Sequence, residues 1–300
     1  MNRKNSAIII CGPTASGKSS FALKLAMERG GAIINADSMQ IYNCLNLITA
    51  SPSLANKTHV PHFLYNFIDP TSHYSVANFV DDARKIIKEC TAQNMTPIIT
   101  GGTGMYINAL MNGISSIPEI DQSHRDEIIH IAKNHRIEIL YHKLKEIDPE
   151  AASKLNMQDS QRIIRAYEVK SFTGKSILEF QLKNSPPILK DFAVTTYYIK
   201  PERTVLYKMC EKRFLSITNN GGVKEVAEFI AQYPGLETGP AKALGVRELK
   251  AYIENHITRE EAIKLSQIKT RQYAKRQLTW FNNQLSWEHH ILVSPELNDT

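Results

Sequence analysis

The most constraining feature of this chain is the run Ala7-Ile8-Ile9-Ile10-Cys11-Gly12-Pro13-Thr14-Ala15-Ser16-Gly17-Lys18-Ser19-Ser20 near its start. The apolar residues Ala7 to Cys11 read as a short buried strand, and the loop after them matches G-x-x-x-x-G-K-[ST]. Apolar residues at helical spacing, Phe21, Leu23, Leu25 and Ala26, continue the chain. Strand, glycine-framed turn and helix together make a phosphate-binding loop. Gly12 and Gly17 let the backbone curl so that successive N–H groups face one phosphate, and the helix N-terminus adds its positive dipole end. Lys18 supplies a point charge, and the Ser19 hydroxyl can ligate Mg²⁺. The loop alone leaves open whether the phosphate belongs to a nucleoside triphosphate or to another diphosphate.

The remaining sequence narrows the setting. A 300-residue chain that is 42% hydrophobic and 22% charged can bury one large domain or two unequal ones. Its net charge of +6 is compatible with a polyanionic partner without proving one. Cys11, Cys44, Cys90 and Cys210 form no C-x-x-C pair, which argues against zinc and disulfide frameworks and for reduced, cytosolic thiols. Arg3 and Lys4 before an apolar run imitate a signal peptide, but Ala7–Cys11 is too short and leads straight into the loop. No window reaches the 18 or so apolar residues of a membrane span. The expectation is a cytoplasmic chain.

After the first helix, Ala32-Ile33-Ile34-Asn35-Ala36 reads as a second strand that stops at Asp37-Ser38. Ligands of open parallel sheets sit beyond the carboxyl ends of the strands. Asp37 is therefore a candidate acid, base or metal-shell residue, or else a cap on a following helix. Residues 44–75 carry no clear period, and His59 and His62 lack a third ligand. Ser75–Glu89 has helical periodicity. Thr96–Thr100 is another short strand, ending at Gly101-Gly102-Thr103-Gly104, where the glycines imply close approach of backbone to a ligand and Thr103 projects a hydroxyl.

The composition changes at Ile117-Pro118. From Asp121 to about Leu189 the pattern is charged and helical, with stripes at Ile128, Ile131, Ala132 and at Ile137, Leu140, Leu144, Ile147. Pro149 opens a further helix, and Gln161–Glu168 forms another that ends at Gly174; there Gln161 and Arg165 share a face opposite Ile163. Phe192–Ile199 returns the chain to the sheet. The reading is an α/β core over residues 1–117 and 190–300, a parallel sheet flanked by helices, with an all-helical insertion domain over 118–189. A last long helix opens with the capping box Thr258-Arg259-Glu260-Glu261. Six Lys/Arg against two Glu between Thr258 and Asn282 give it net +4, with Lys264, Arg271 and Lys275 in one stripe, which suits a polyanion or a solvated face.

Taken together these residues resemble the bacterial tRNA dimethylallyltransferases, or isopentenyltransferases, over nearly the whole chain. The resemblance is carried by Gly12–Ser19, Asp37-Ser38-Met39-Gln40-Ile41-Tyr42, Val60-Pro61-His62 and Gly101-Gly102-Thr103-Gly104-Met105-Tyr106. It continues through Gln161-Arg162 with Arg165-Ala166-Tyr167-Glu168, Gly174-Lys175-Ser176, Arg213-Phe214, Ala243-Leu244-Gly245 and Thr270–Phe281. It implies a P-loop NTPase-like fold. The activity implied is transfer of a dimethylallyl group from dimethylallyl diphosphate to N6 of the adenosine 3′ of the anticodon, position 37, in tRNAs reading codons that begin with U.

On this resemblance the loop Gly12, Pro13, Thr14, Ala15, Ser16, Gly17, Lys18, Ser19 holds the donor's diphosphate in place of a nucleotide's. Mg²⁺ at Ser19 together with Arg213 and Thr103 stabilises the leaving group, and Asp37 acts as the base on N6. The adenine is flipped out of the anticodon stem-loop. Ser38, Met39 and Gln40 line the flipped base. Arg125, Gln161, Arg162, Ile163, Ile164, Arg165, Lys242, Arg247, Arg271, Lys275 and Arg276 match tRNA-contacting segments. The partners implied are tRNA and dimethylallyl diphosphate, with a monomeric chain and no membrane. Where relatives usually read Gly-Thr-Ala-Lys-Pro this chain has Ile48-Thr49-Ala50-Ser51-Pro52, and Asn108 stands where many carry lysine.

Overall fold

A computed structural model describes residues 5–134 and 136–291. The elements run β1 (Ser6–Cys11), α1 (Lys18–Arg29), β2 (Gly31–Asn35), α2 (Asn46–Thr49), α3 (Leu54–His59), β3 (His62–Phe63), α4 (Val76–Ala92), β4 (Thr96–Gly101) and α5 (Gly104–Asn112). Five helices follow: α6 (Gln122–Asn134), α7 (Arg136–Ile147), α8 (Pro149–Ser153), α9 (Ser160–Thr173) and α10 (Ile177–Gln181). The chain closes with β5 (Ala193–Ile199), α11 (Arg203–Asn219), α12 (Gly222–Gln232), a 3₁₀ turn Gly239–Lys242, α13 (Val246–Ile253), α14 (Arg259–Gln284) and β6 (His289–Ile291).

The strands form one sheet in the order β3-β2-β4-β1-β5-β6, and every pairing is parallel. Parallel strands need covering on both faces, and this sheet is built from continuous apolar runs to match. Ile9, Ile10, Ile33, Ile34, Ile98 and Ile99 are fully buried. Helix α1 packs Ala22, Leu25 and Ala26 against Ile8, Ile10, Ile33 and Ile98. It ends at Gly30, whose left-handed backbone (φ 57°) closes the helix before β2.

Two compact units result, Met1–Met111 with Ile188–Thr300 and Asn112–Pro187. The second begins earlier than the change of composition at Ile117. The reason is a local pairing: the Ser185 amide donates to Ile114 O at 2.8 Å and the Ile114 amide to Ser185 Oγ at 3.2 Å. Its core is Ile128, Leu140, Leu144, Ala152, Ile163 and Ala166. Asp148 caps α8 with Pro149 in the first turn, and Gly174 ends α9 at φ 71°.

Helix α14 keeps its capping box, with Thr258 Oγ1 accepting from the Glu261 amide. It buries the stripe Ala262, Ser266, Thr270, Ala274, Gln277 and Phe281. Strands β3 and β6 and the helices α2 and α3 were not visible as periodic patterns. Each is two to six residues long and is defined by its partners. Among the described residues no helix is long and apolar enough to cross a membrane.

Candidate active site

The carboxyl ends of three neighbouring strands meet on one side of the sheet. β1 leads into the phosphate loop, β2 into Asp37, and β4 into Gly101-Gly102-Thr103. The approach is close: a Cβ on Gly101 would lie 2.1 Å from Ala36 O, and one on Gly12 2.6 Å from Ile199 O. Only glycine lets these backbones touch.

The loop is wound tightly. Ala15 (φ 62°) and Gly17 (φ 83°) both take left-handed backbone, and the Ser16 amide donates to Pro13 O at 3.3 Å. Gly17 is the N-cap of α1 and offers no side chain, so the first-turn amides of the helix keep no side-chain partner. Lys18 Nζ folds back to donate to Pro13 O at 3.3 Å. Ser16 Oγ is buried in the loop and has no partner among the described residues. Ser19, by contrast, is exposed in the first turn of α1.

Arg213 comes from α11, far along the chain, and donates from Nη1 to Thr14 Oγ1 at 3.2 Å and from Nη2 to Thr49 O at 3.2 Å. An arginine in that helix reads as a surface residue; the structure turns it inward onto the loop. Gln277 of α14 reaches the same loop, accepting from the Thr14 amide at 2.8 Å while its Nε2 donates to Gly102 O at 2.8 Å.

Asp37 caps no helix. It closes an Asx turn, accepting from the Met39 amide at Oδ1 (2.9 Å), and Asn35 fixes its backbone from both sides, with Oδ1 accepting from the Asp37 amide and Nδ2 donating to Asp37 O. Thr103 Oγ1 accepts from the Ser38 amide at 2.9 Å and donates to Ser38 Oγ at 3.2 Å, joining the second strand end to the third.

Charges are concentrated here. Burial pulls the Lys18 ammonium down to about 8, with Asp37 opposing and Arg213 adding to the shift. Burial likewise lowers Arg213, and Asp37 again opposes. The phenols of Tyr65, Tyr106 and Tyr273 are raised, first by burial and further by the Asp37 carboxylate.

Met39 and Gln40 are partly buried, and Gln40 Nε2 donates to both Thr49 O and Ala50 O at 2.9 Å. That amide holds the segment Ile48–Pro52, where the resemblance led to a different expectation. Ile48 is buried there beside Leu45, Phe214, Val226 and Phe229, and Ser51 Oγ lies 3.1 Å from Thr49 Oγ1. A side chain that fills a core thus stands where the resemblance implied glycine.

The residues matched to tRNA contacts divide into exposed and engaged. Lys242, Arg247, Lys275 and Arg276 are exposed. Lys275, Arg276 and Trp280 line a groove of about 510 Å³ along α14. Arg271 is paired with Glu211 and lies over the Tyr207 ring. In the second unit Gln161 and Arg162 are exposed, Arg162 pairing with Asp159, while Arg125 and Arg165 both grip the buried Glu168. Ile164 is partly buried. Ile163 is a correction: it is fully buried in the core of its own unit, so its side chain offers a partner nothing. Gln277 carried no legible signal in the sequence: it lies in a buried stripe of α14 that also holds Ser266 and Thr270, so a polar residue there does not stand out.

Comparison with known proteins agrees with this geometry. A family model described as IPP transferase matches residues 40–284, and one described as isopentenyl transferase matches residues 5–60. The tRNA dimethylallyltransferase of Rickettsia massiliae is 45% identical over 285 residues, covering 95% of this chain and 78% of that protein. That of Rickettsia felis is 43% identical, covering 94% and 91%. The crystal structure of the tRNA isopentenylpyrophosphate transferase of Bacillus halodurans superposes with a TM-score of 0.67 at 30% identity, covering 98% of this chain and 92% of that one. A eukaryotic dimethylallyltransferase captured acting on tRNA gives a TM-score of 0.77 at 26% identity, covering 92% and 69%. The phosphate loop, the strand-end aspartate and the inward arginine therefore sit in a member of the IPP transferase family, the family to which this chain belongs.

Proposed function

We propose that this chain transfers a dimethylallyl group from dimethylallyl diphosphate to N6 of the adenosine 3′ of the anticodon in tRNA, releasing diphosphate. The observation that carries the reading is that Lys18 and Arg213 both reach the phosphate loop, while Asp37 ends β2 beside Gly102 at the carboxyl ends of the strands. Two fixed cations suit a departing diphosphate, and one carboxylate suits an amine that must shed a proton.

The chemistry follows from these groups. The exocyclic N6 lone pair is delocalised into the adenine ring, so the amine attacks well only as it loses a proton. Its bond to the allylic carbon forms while the bond from that carbon to the diphosphate oxygen breaks. The N6 proton passes to the Asp37 carboxylate, and the electron pair leaves with the diphosphate. Lys18, the first-turn amides of α1 and Arg213 face the charge that develops there. Thr103, which the resemblance implied for the leaving group, has its hydroxyl tied to Ser38 beside Asp37 and positions the acceptor side instead.

Mg²⁺ fits the residues present. Ser19 offers one exposed hydroxyl in the first turn of α1, beside the loop. Magnesium commonly takes one or two protein oxygens and fills its shell with phosphate oxygens and water. When bound it would neutralise charge on the diphosphate, with Ser19 as its protein ligand.

On the RNA side, the exposed Lys242, Arg247, Lys275 and Arg276 of the first unit suit phosphate contact. Gln161, Arg162 and the Glu168-held Arg125 and Arg165 of the second unit do the same. Incubation of the protein with tRNA, Mg²⁺ and labelled dimethylallyl diphosphate, followed by nucleoside analysis, tests the reading. Labelled N6-(dimethylallyl)adenosine at the position after the anticodon is expected. RNA left unprenylated while ATP is split would overturn it in favour of a small-molecule kinase.

A further inference from the structure

A diphosphate and a triphosphate can both enter a loop of this sequence pattern, so something beyond the pattern must discriminate them. Gln277 is placed to do so. It is 5% exposed, and both ends of its amide are engaged, one on the phosphate loop and one on the second glycine turn. Its acceptor consumes the Thr14 amide, a donor that would otherwise be available to a ligand oxygen. The Thr14 hydroxyl accepts from Arg213 and keeps its own proton to donate. The Thr14 amide alone is withheld from a ligand, while the amides opening α1 remain. The fit is tight from the other side too: a Cβ on Gly102 would lie 2.3 Å from Gln277 Nε2. Three residues along α14, Trp280 packs where a Cβ on Gly104 would fall, so the same helix face grips the second glycine turn twice.

We propose that Gln277 is a positioning residue that holds the phosphate loop in a diphosphate-sized form, by withdrawing the Thr14 amide from the cradle and tying the loop to Gly102. The inference rests on the functional reading above, in which a diphosphate is the ligand. Its effect is read on donor affinity and selectivity; a Cβ on Gly102 would also lie 3.7 Å from Asp37 Oδ2, an ordinary van der Waals contact.

The test measures binding of inorganic diphosphate and inorganic triphosphate, each with Mg²⁺, to three proteins by calorimetry, together with steady-state kinetics. Gln277→Met keeps the side-chain length and removes both hydrogen bonds. Gly102→Ala leaves α14 unaltered and pushes the Gln277 amide away from the opposite side. Gly102 has no positive φ, so alanine is compatible with its backbone. Wild type is expected to prefer diphosphate by at least tenfold. Both variants should weaken diphosphate binding by about tenfold, the order expected for a lost buried hydrogen-bonded clamp. They should also bring the two affinities to within about threefold and raise KM for the donor without raising KM for tRNA. Variants that keep the wild-type ratio of affinities, or that raise both KM values together, overturn the inference. Should Gln277→Met fail to fold, Gly102→Ala decides alone. A wild type that binds no diphosphate sinks the functional reading instead, which separates the two failures.

Discussion

Donor binding should weaken as pH rises through about 8, because the ammonium that meets the diphosphate is already close to losing its proton. Burial brings Lys18 down to about 8 from its ordinary 10.5. With that value about nine-tenths of the side chain is charged at pH 7 and about one-tenth at pH 9. A diphosphate favours the charged form, so binding above pH 8 must take up a proton. Affinity then falls by up to about tenfold per pH unit until the raised pKa of the complex is reached. The sign for stability is opposite. Unfolded Lys18 holds its proton up to about 10.5, so between about 8 and 10.5 the unfolded state binds more protons and this group's contribution to stability rises with pH. A fall in affinity across that window cannot then be ascribed to Lys18-linked unfolding.

The assay is titration calorimetry of dimethylallyl diphosphate with Mg²⁺ from pH 7 to 9.5, in two buffers of different ionisation enthalpy to count protons. Asp37→Asn serves as an internal check. The Asp37 carboxylate holds the ammonium up, so without it the fall should begin below pH 8. Affinity that is flat from pH 7.5 to 9.5, with no proton uptake, would refute the assignment of Lys18 as the buried cation facing the leaving group.

Asp37→Asn keeps an acceptor for the Met39 amide, so the fold should survive while kcat drops roughly 10²–10⁴-fold, with tRNA affinity retained; single-turnover kinetics and filter binding measure both. Glu168→Gln releases Arg125 and Arg165 from a buried partner and should cost about 1–3 kcal/mol after allowance for the partly exposed guanidiniums, read by denaturant unfolding. Gly101→Ala puts a methyl 2.1 Å from Ala36 O and must spread β2 from β4, a loss of about 3 kcal/mol or more in the same experiment. Lys275→Ala and Arg276→Ala should each flatten the salt dependence of tRNA binding by about 0.7–0.9 in the log–log slope, leaving donor KM unchanged.

Much of the catalytic edge was legible locally. A strand that runs into a glycine-framed loop, a second that stops at Asp37 and a third that stops at Gly101-Gly102-Thr103 are statements about neighbouring residues, and parallel sheets place such ends together by their topology. The capping box of α14 is local in the same way. It survives as a helix boundary because backbone hydrogen bonding decides it within a turn.

What needed the folded chain is everything that acts across long separations. The Thr14–Gln277 contact joins residues 263 apart, and Arg213 meets Thr14 across 199, with no periodicity to announce either. Strands β3 and β6 are too short to show an alternation and exist only because β2 and β5 offer them an edge. Arg125, Arg165 and Arg271 read as free cations until their carboxylate partners appear beside them, and Ile163 reads as part of a contact stretch until the core closes over it. Local sequence sets which backbone states are cheap. Burial and charge pairing depend on which distant surfaces meet, and only tertiary structure decides that.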